Sequence, residues 1–116
     1  QTYKGNKKYV SSVALSSDGR HVLTGSGDNT AILWDLKGNQ VQVFKGHYLE
    51  VYAVAFSPDG RQVLTGGRDR KTILWDLKGS QVQTFESHYD DVLSVAISQD
   101  GQHVLTGSSG ETAILW

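Results

Sequence analysis

The feature of this sequence that most constrains its fold is an internal repeat with a period of 41 residues. Trp34, Trp75 and Trp116 follow one another at this spacing. Aligning the chain on the period gives three units, residues 3–43, 44–84 and 85–116. The first two units agree at 24 of 41 positions, and the third agrees with the second at 16 of 32. Such a period is typical of arrays in which each repeat is one supersecondary unit, so residues 1–116 are predicted to form one repeat array.

Each unit has the pattern of four short strands separated by turns. The strands predicted for the middle unit are residues 51–56, 62–65, 72–75 and 81–85. The turns predicted between them are residues 58–60, 66–69 and 77–80, and Gly60 supplies the positive φ that the first turn needs. No segment has the 3.6-residue period of a helix over ten or more residues. Four strands in a unit of about 40 residues are typical of a propeller blade, so we predict an all-β propeller of four-stranded antiparallel blades.

Composition and charge exclude several classes of function. The chain has no cysteine, which excludes disulfides, thiolate metal sites and cysteine nucleophiles. Eleven Lys and Arg residues oppose 12 Asp and Glu residues, and this balance disfavours nucleic-acid or anionic-membrane partners. The apolar runs are too short to span a bilayer, and the first residues lack the apolar core of a signal peptide. We therefore expect a cytoplasmic protein without a cofactor or a bound metal.

Four short motifs at fixed spacing resemble those of the WD40-repeat family. They are Gly46-His47, the turn Ser57-Pro58-Asp59-Gly60, and the dipeptides Trp34-Asp35 and Trp75-Asp76. The resemblance covers essentially the whole chain and implies a non-catalytic propeller scaffold for protein–protein interaction. One alternative is an excised or engineered fragment of a longer repeat protein with self-assembly as its only activity. A small-ligand-binding propeller or an enzyme that uses the central channel is the other alternative.

The resemblance also implies a side-chain network within each blade. In the second unit its members are His47, Thr65, Asp69 and Trp75. A buried indole N–H needs an acceptor, which the threonine hydroxyl provides. The set also resembles a hydrolase triad, but we interpret it as structural because it recurs with the period of the fold. It is complete only in the second unit, since Asn6 replaces the histidine in the first and Gly110 the aspartate in the third.

Two valines three residues apart at the start of each unit predict a β-bulge. Val51 and Val54 both have the character of core residues, and an extra residue between them places both on one face. In the WD40 family the residues around this bulge and before the Asp turn contact partners on the top face of the ring. The matching positions are Tyr9, Ser11, Gly27, Glu50, Tyr52, Arg68, Asp91, Leu93 and Ser109. We expect an unknown protein or peptide partner there, although ordinary surface variation accounts for the same differences.

Three blades are too few for a closed propeller, since propellers have typically four to eight. The units 5–43 and 44–84 are predicted to be blades 1 and 2, and 85–116 to be blade 3 without its fourth strand. Residues 1–4 are predicted to be the fourth strand for blade 3 of a neighbouring copy. Such head-to-tail contacts close into rings or form filaments. The predicted subunit junction consists of Gln1, Thr2, Tyr3, Lys4, Lys7, Lys8, Glu86, Asp90 and Trp116.

A closed ring of such chains contains a multiple of three blades. Two copies give six blades and three copies give nine, and both differ by a similar amount from the seven blades usual in the WD40 family. We favour the homotrimer with nine blades, because WD40 rings also occur with eight, over the homodimer with six. The innermost strands present small residues to the axis, such as Ala14, Ala55 and Ala96. This disfavours an enzyme in the channel.

Overall fold

The computed structural model describes residues 1–86 and 88–116, and every regular element in this part is a β-strand. The strands of the first repeat are β1 (Val10–Leu15), β2 (His21–Ser26), β3 (Thr30–Asp35) and β4 (Gln40–Lys45). Those of the second are β5 (Val51–Phe56), β6 (Gln62–Gly67), β7 (Thr72–Asp76) and β8 (Gln81–Phe85). Those of the third are β9 (Val92–Ile97), β10 (Val104–Ser108) and β11 (Ala113–Leu115). The described residues contain no helix that could cross a membrane.

The strands form three separate antiparallel sheets, one for each repeat. Blade 1 has the order β1-β2-β3-β4 and blade 2 the order β5-β6-β7-β8. Blade 3 has only three strands, β9-β10-β11, and β11 is its outer edge. The all-β fold with blades of the predicted topology is therefore confirmed. Blade 3 carries no fourth strand in this structure.

Local sequence explains the hairpins within each blade. In the turn after β5, Gly60 has a φ of 73° and its N–H donates to the carbonyl of Ser57, as a tight turn requires. The next turn begins later than predicted, because β6 continues through Gly67. Gly66 and Gly67 are thus strand residues. Because they have no side chains, neighbouring elements pack closely against them.

A β-bulge interrupts the first strand of each blade, as the paired valines predict. The register with the second strand shifts between Val51 and Ala53 in blade 2. The same shift occurs at the equivalent residues of blades 1 and 3. Val51 and Val54 are consequently both buried, with 0% and 8% of their surface exposed. In blade 1, however, Val10 and Val13 are 48% and 68% exposed, although they were predicted to be core residues.

The hydrophobic core lies mainly between the blades. Leu23, Leu33, Phe44, Val51, Val63 and Trp75 belong to one cluster that joins blades 1 and 2. A smaller cluster, with Leu64, Phe85 and Val104 at its centre, joins blades 2 and 3. Each sheet is therefore stabilised by the face of its neighbour. No further sheet of the described residues covers the outer faces of blades 1 and 3.

Candidate functional site

The polar network of blade 2 links its interior to two loops. Trp75 Nε1 donates to Thr65 Oγ1 at 2.9 Å, and His47 Nε2 lies 2.7 Å from the same hydroxyl. His47 Nδ1 lies 2.9 Å from both carboxylate oxygens of Asp69. Three of these four residues are buried, and Asp69 is half-buried. The hydroxyl accepts from the indole and pairs with the imidazole, so it connects the tryptophan to the histidine within the blade.

Asp69 is held in its charged form by the groups around it. Burial opposes its ionisation, but the hydrogen bond from His47 and the N–H groups of Tyr48 and Lys71 outweigh this and lower the pKa of Asp69. The N–H of Tyr48 donates to Oδ2 at 3.1 Å, and the N–H of Lys71 donates to Oδ1 at 3.2 Å. The carboxylate therefore joins the loop before β5 to the turn after β6.

Blade 1 keeps part of this network with an amide in place of the imidazole. Trp34 Nε1 donates to Thr24 Oγ1 at 3.0 Å, and this hydroxyl donates to Asn6 Oδ1 at 3.0 Å. Asn6 Nδ2 is buried without a hydrogen-bond partner among the described residues. The Asp28 carboxylate accepts from the N–H of Lys7 at 2.9 Å, as Asp69 accepts from the N–H of Tyr48, but it has no hydrogen bond from Asn6 among the described residues.

Blade 3 replaces the aspartate by a different arrangement. Trp116 Nε1 and His88 Nε2 lie 3.0 Å and 2.8 Å from Thr106 Oγ1. His88 Nδ1 lies 3.2 Å from Thr112 Oγ1, a hydroxyl that takes the place of a carboxylate. Because Gly110 has no side chain, the Asp90 carboxylate lies against it, where a Cβ would collide.

The residues predicted for partner contact lie in side-by-side pairs on one edge of the blades. In each blade a backbone N–H of the turn after the second strand donates to the carbonyl of the residue before the first strand. These bonds are Gly27 to Tyr9 at 2.9 Å, Arg68 to Glu50 at 2.9 Å and Ser109 to Asp91 at 3.0 Å. We call this edge the top face. It brings six of the nine predicted residues together in pairs.

The side chains of the top face differ strongly between the blades. Arg68 Nη1 lies 3.3 Å from Glu50 in blade 2, while the Tyr9 ring of blade 1 lies over Gly27. Burial raises the pKa of Tyr52, and nearby Tyr9 and Glu50 add to this effect. The side chains of Leu93 and Ser109 are exposed. The top face of blade 2 thus carries an ion pair and an aromatic ring, and that of blade 3 carries Asp91, Leu93 and Ser109 without an aromatic ring.

Ser11, another residue predicted for partner contact, connects blade 1 to blade 2. Its hydroxyl donates to the carbonyl of Gly25 at 3.2 Å and to that of Val51 in the next blade. Its neighbour Ser12 also reaches blade 2, because Ser12 Oγ accepts from the N–H of Val54 at 3.2 Å. The bulge of blade 1 is therefore a connection between sheets.

One packing contact recurs at both boundaries between blades. The valine pair of one blade packs on a glycine in the second strand of the preceding blade. A Cβ at Gly25 would lie 2.9 Å and 3.0 Å from methyl carbons of Val51 and Val54. At Gly66 the equivalent distances to Val92 and Val95 are 2.6 Å and 2.9 Å. Only glycine permits this approach, so Gly25 and Gly66 set the distance between the sheets.

Each outer face of the chain carries one partner of this valine–glycine contact. Val10 and Val13, the valine pair of blade 1, are exposed on one face. If a Cβ were added at Gly107, the equivalent glycine of blade 3, the only described atom within 4 Å of it would be Ser94 Cβ, at 3.7 Å. Large apolar side chains surround each half. They are Leu15 and Leu36 on blade 1, and Leu105 and Leu115 on blade 3.

The first residues of the chain lie where the fourth strand of a preceding blade belongs. They form no strand in the single chain, since residues 1–9 precede β1 without regular structure. Tyr3 nevertheless packs on Trp34 with ring centres 5.5 Å apart, as Phe44 packs on Trp75 at 5.5 Å. Gln1 lies against Gly38 as Gln42 lies against Gly79.

Charged residues line the boundaries between blades. We call the loop before the first strand of a blade its entry loop (4–8, 45–49 and 86–90) and the turn after its second strand its second turn (27–30, 68–71 and 109–112). Asn29 Nδ2 donates to the carbonyl of Tyr48 at 3.2 Å across the first boundary. Across the second, Lys71 Nζ lies 3.4 Å from Glu86 Oε1. Glu86 was predicted at the subunit junction, but the structure places it inside the chain at the boundary of blades 2 and 3.

A comparison with protein-family models matches the WD domain, G-beta repeat model three times, at residues 1–35, 38–76 and 79–116. These matches cover almost all of the chain. The chain belongs to the WD40-repeat family. Each WD40 match starts before the entry loop of its blade, and the first match includes residues 1–9. A search of curated proteins gave no match.

WD40 repeats form a scaffold fold for protein–protein interaction. The described residues contain no group of three or more His, Asp or Glu side chains that could hold a metal ion. The sequence motifs predicted the WD40 repeats and the hydrogen-bond network of blade 2. They did not reveal the valine–glycine contact, although the glycine recurs at positions 25, 66 and 107.

Proposed function

We propose that this chain is a non-catalytic WD40 scaffold that assembles head to tail into a closed ring and presents its top face to protein or peptide partners. The observation that carries the proposal is the pair of complementary outer faces. One face bears the valine pair of blade 1, and the other bears the open glycine of blade 3. A second copy supplies the half that each face lacks, in a geometry that the chain already uses twice.

The edge of blade 3 supports the same arrangement. The strand β11 has an unpaired edge, which is a template for another strand. Residues 1–3 of the next copy occupy the position of the missing fourth strand, because Tyr3 lies on Trp34 as Phe44 lies on Trp75. The proposed ring contains three copies and nine blades, and a ring of two copies and six blades is the alternative.

Light scattering coupled to size separation tests the assembly. We expect a mass of three times 12.7 kDa, or twice this value for the smaller ring. A mass of 12.7 kDa at micromolar concentration, with the chain folded, would overturn the proposal. Circular dichroism of the same fraction shows whether the strands are formed.

Two variants aim at the two halves of the contact. Val13→Asp buries a carboxylate in the proposed interface, and Gly107→Val fills the space that the valine pair of the next copy needs. Both should leave a folded single chain, since Val13 is exposed and position 107 is open. Val82→Asp is the matched control, because Val82 is 51% exposed on the outer strand of a blade that already has both neighbours. If Val13→Asp and Gly107→Val both assemble as the wild type and the control do, the proposed interface is contradicted.

A further inference from the structure

The apolar contacts between blades do not distinguish one boundary from another. The valine pair of each following blade meets a glycine in the same way at both internal boundaries. In the folded chain Gly25 and Gly66 are already covered, so a choice among the three glycines arises only while the blades associate. At that stage another feature is needed to select the correct neighbour.

The charges at the boundaries provide this feature, because they alternate in sign. At the boundary of blades 2 and 3, the second turn carries Arg70 and Lys71, and the entry loop carries Glu86, which pairs with Lys71. At the open boundary the signs are reversed. The second turn of blade 3 carries Glu111, and the entry loop of blade 1 carries Lys4, Lys7 and Lys8. Glu111 is exposed and makes no salt bridge to any residue that the structure describes.

The backbone fixes the positions from which these charges project. The N–H of Lys7 donates to Asp28 at 2.9 Å, as the N–H of Tyr48 donates to Asp69 at 3.1 Å. Lys7 therefore has the place on blade 1 that Tyr48 has on blade 2. Glu111 has a left-handed φ of 71°, and Asn29 at the equivalent place has 75°. Asn29 Nδ2 donates to the carbonyl of Tyr48 across its boundary. Glu111 and Lys7 have the equivalent positions in the repeat, so Glu111 is expected to lie beside Lys7 of the next copy.

We propose that Glu111 of one copy pairs with Lys7 of the next, and that this pair selects blade 3 as the neighbour of blade 1. The inference rests on the proposed function, since it names the contact that directs the assembly. The second turn of blade 2 repels the entry loop of blade 1, because both are basic. Charges at an exposed boundary contribute more to the choice and orientation of partners than to affinity.

Charge reversal tests the pair by sedimentation over a concentration series. Glu111→Lys and Lys7→Glu each place like charges at the boundary, and the double variant restores opposite charges in exchanged positions. We expect each single variant to raise the concentration of half-assembly about three- to tenfold in about 20 mM salt and less than twofold in about 500 mM salt. The double variant should return to within about twofold of the wild type. Lys78→Glu, an exposed lysine in the last turn of blade 2, makes the same change in net charge as Lys7→Glu and should have little effect.

Mixing the two single variants adds a test of ring size. A copy with Lys7→Glu has an acidic side chain at both position 7 and position 111, and a copy with Glu111→Lys has a basic one at both. The two alternate perfectly in a ring of two copies but leave one mismatched boundary in a ring of three. Full recovery on mixing at low salt therefore indicates two copies, and partial recovery indicates three.

The outcomes separate this inference from the proposed function. If the wild type assembles and both single variants assemble equally well at low salt, the charge pair is overturned and the ring is retained. If the effects of the single variants do not depend on salt, or the double variant fails to recover, the pair is also overturned. A monomeric wild type overturns both proposals.

Discussion

At the scale of single residues, one threonine hydroxyl organises the interior of each blade. The tryptophan N–H donates to it at 3.0 Å, 2.9 Å and 3.0 Å in blades 1, 2 and 3. The residue on its other side varies, because Asn6 stands where His47 and His88 stand in the later blades. A histidine ring spans the distance from the hydroxyl to the second turn, whereas the shorter asparagine leaves its Nδ2 without a partner. A buried polar group without a partner destabilises the folded state.

Asn6→His should therefore stabilise the chain. The imidazole can reach both Thr24 and Asp28, as His47 reaches Thr65 and Asp69. We expect the free energy of unfolding in urea to rise by about 1 kcal/mol. His47→Asn is the matched reverse substitution and should lower it by about 1 to 3 kcal/mol, since it leaves Asp69 without its imidazole partner. A loss of stability in Asn6→His would show that the blade 1 network cannot accept the ring.

At the scale of elements, the sheets are held together by large side chains between them. Trp75 is 1% exposed, and its ring centre lies 5.5 Å from that of Phe44 in the preceding repeat's last strand. Its indole thus fills the space between two sheets and also donates the hydrogen bond to Thr65. The same residue contributes to packing and to the polar network, and two substitutions separate these contributions.

Trp75→Ala removes both contributions, and Trp75→Phe mainly the hydrogen bond. We expect Trp75→Ala to lower the free energy of unfolding by about 3 to 5 kcal/mol, because it leaves a large cavity between blades 1 and 2. Trp75→Phe should cost about 1 to 3 kcal/mol. Denaturant unfolding at one protein concentration measures both values. Nearly unchanged stability of Trp75→Ala would contradict the packing of blades described above.

At the scale of the whole molecule, the carboxylates of the turns make folding depend on pH. The Ser16 hydroxyl and the Arg20 N–H lower the pKa of Asp18, and the Ser98 hydroxyl and the Gln102 N–H lower the pKa of Asp100. Asp59 in blade 2 has a lowered pKa for the same reasons, with the Arg61 N–H as the main cause. Since these pKa values lie below the ordinary 3.8, the unfolded chain binds protons first as the pH falls.

The melting temperature should therefore decrease as the pH falls below about 3.8 toward the lower pKa values of the folded state. The stabilisation from these carboxylates is fully present above the unfolded pKa. Thermal unfolding followed by circular dichroism between pH 2.5 and pH 7 (about the range in which carboxylates titrate) measures the effect. Asp69→Asn should lower the melting temperature at pH 7 and reduce its dependence on acid, because the pKa of Asp69 is also lowered. An equal dependence in wild type and variant would exclude Asp69 as a contributor.

The sequence by itself determined the local structure of the repeats. Strands, bulges and tight turns follow from alternation of side chains, paired valines and glycines at positive φ, all of which act over a few residues. The prediction for β5 agrees with the structure at both ends, Val51 and Phe56. The predicted end of β6 is too early, because a glycine pair is typical of a turn, whereas the packing role of Gly66 depends on another sheet.

Only the tertiary structure decided which faces are covered. Val10 and Val51 have the same place in the repeat, yet 48% of one and 0% of the other is exposed. Glu86 was predicted at the subunit junction because its acidic loop enters the last blade, whereas the structure pairs it with Lys71 of the preceding blade. The physical reason is that a strand's own residues encode its hydrogen-bond ladder and its two faces, whereas burial of a face requires a second sheet. For two faces of this chain, the residues that the structure describes contain no such sheet.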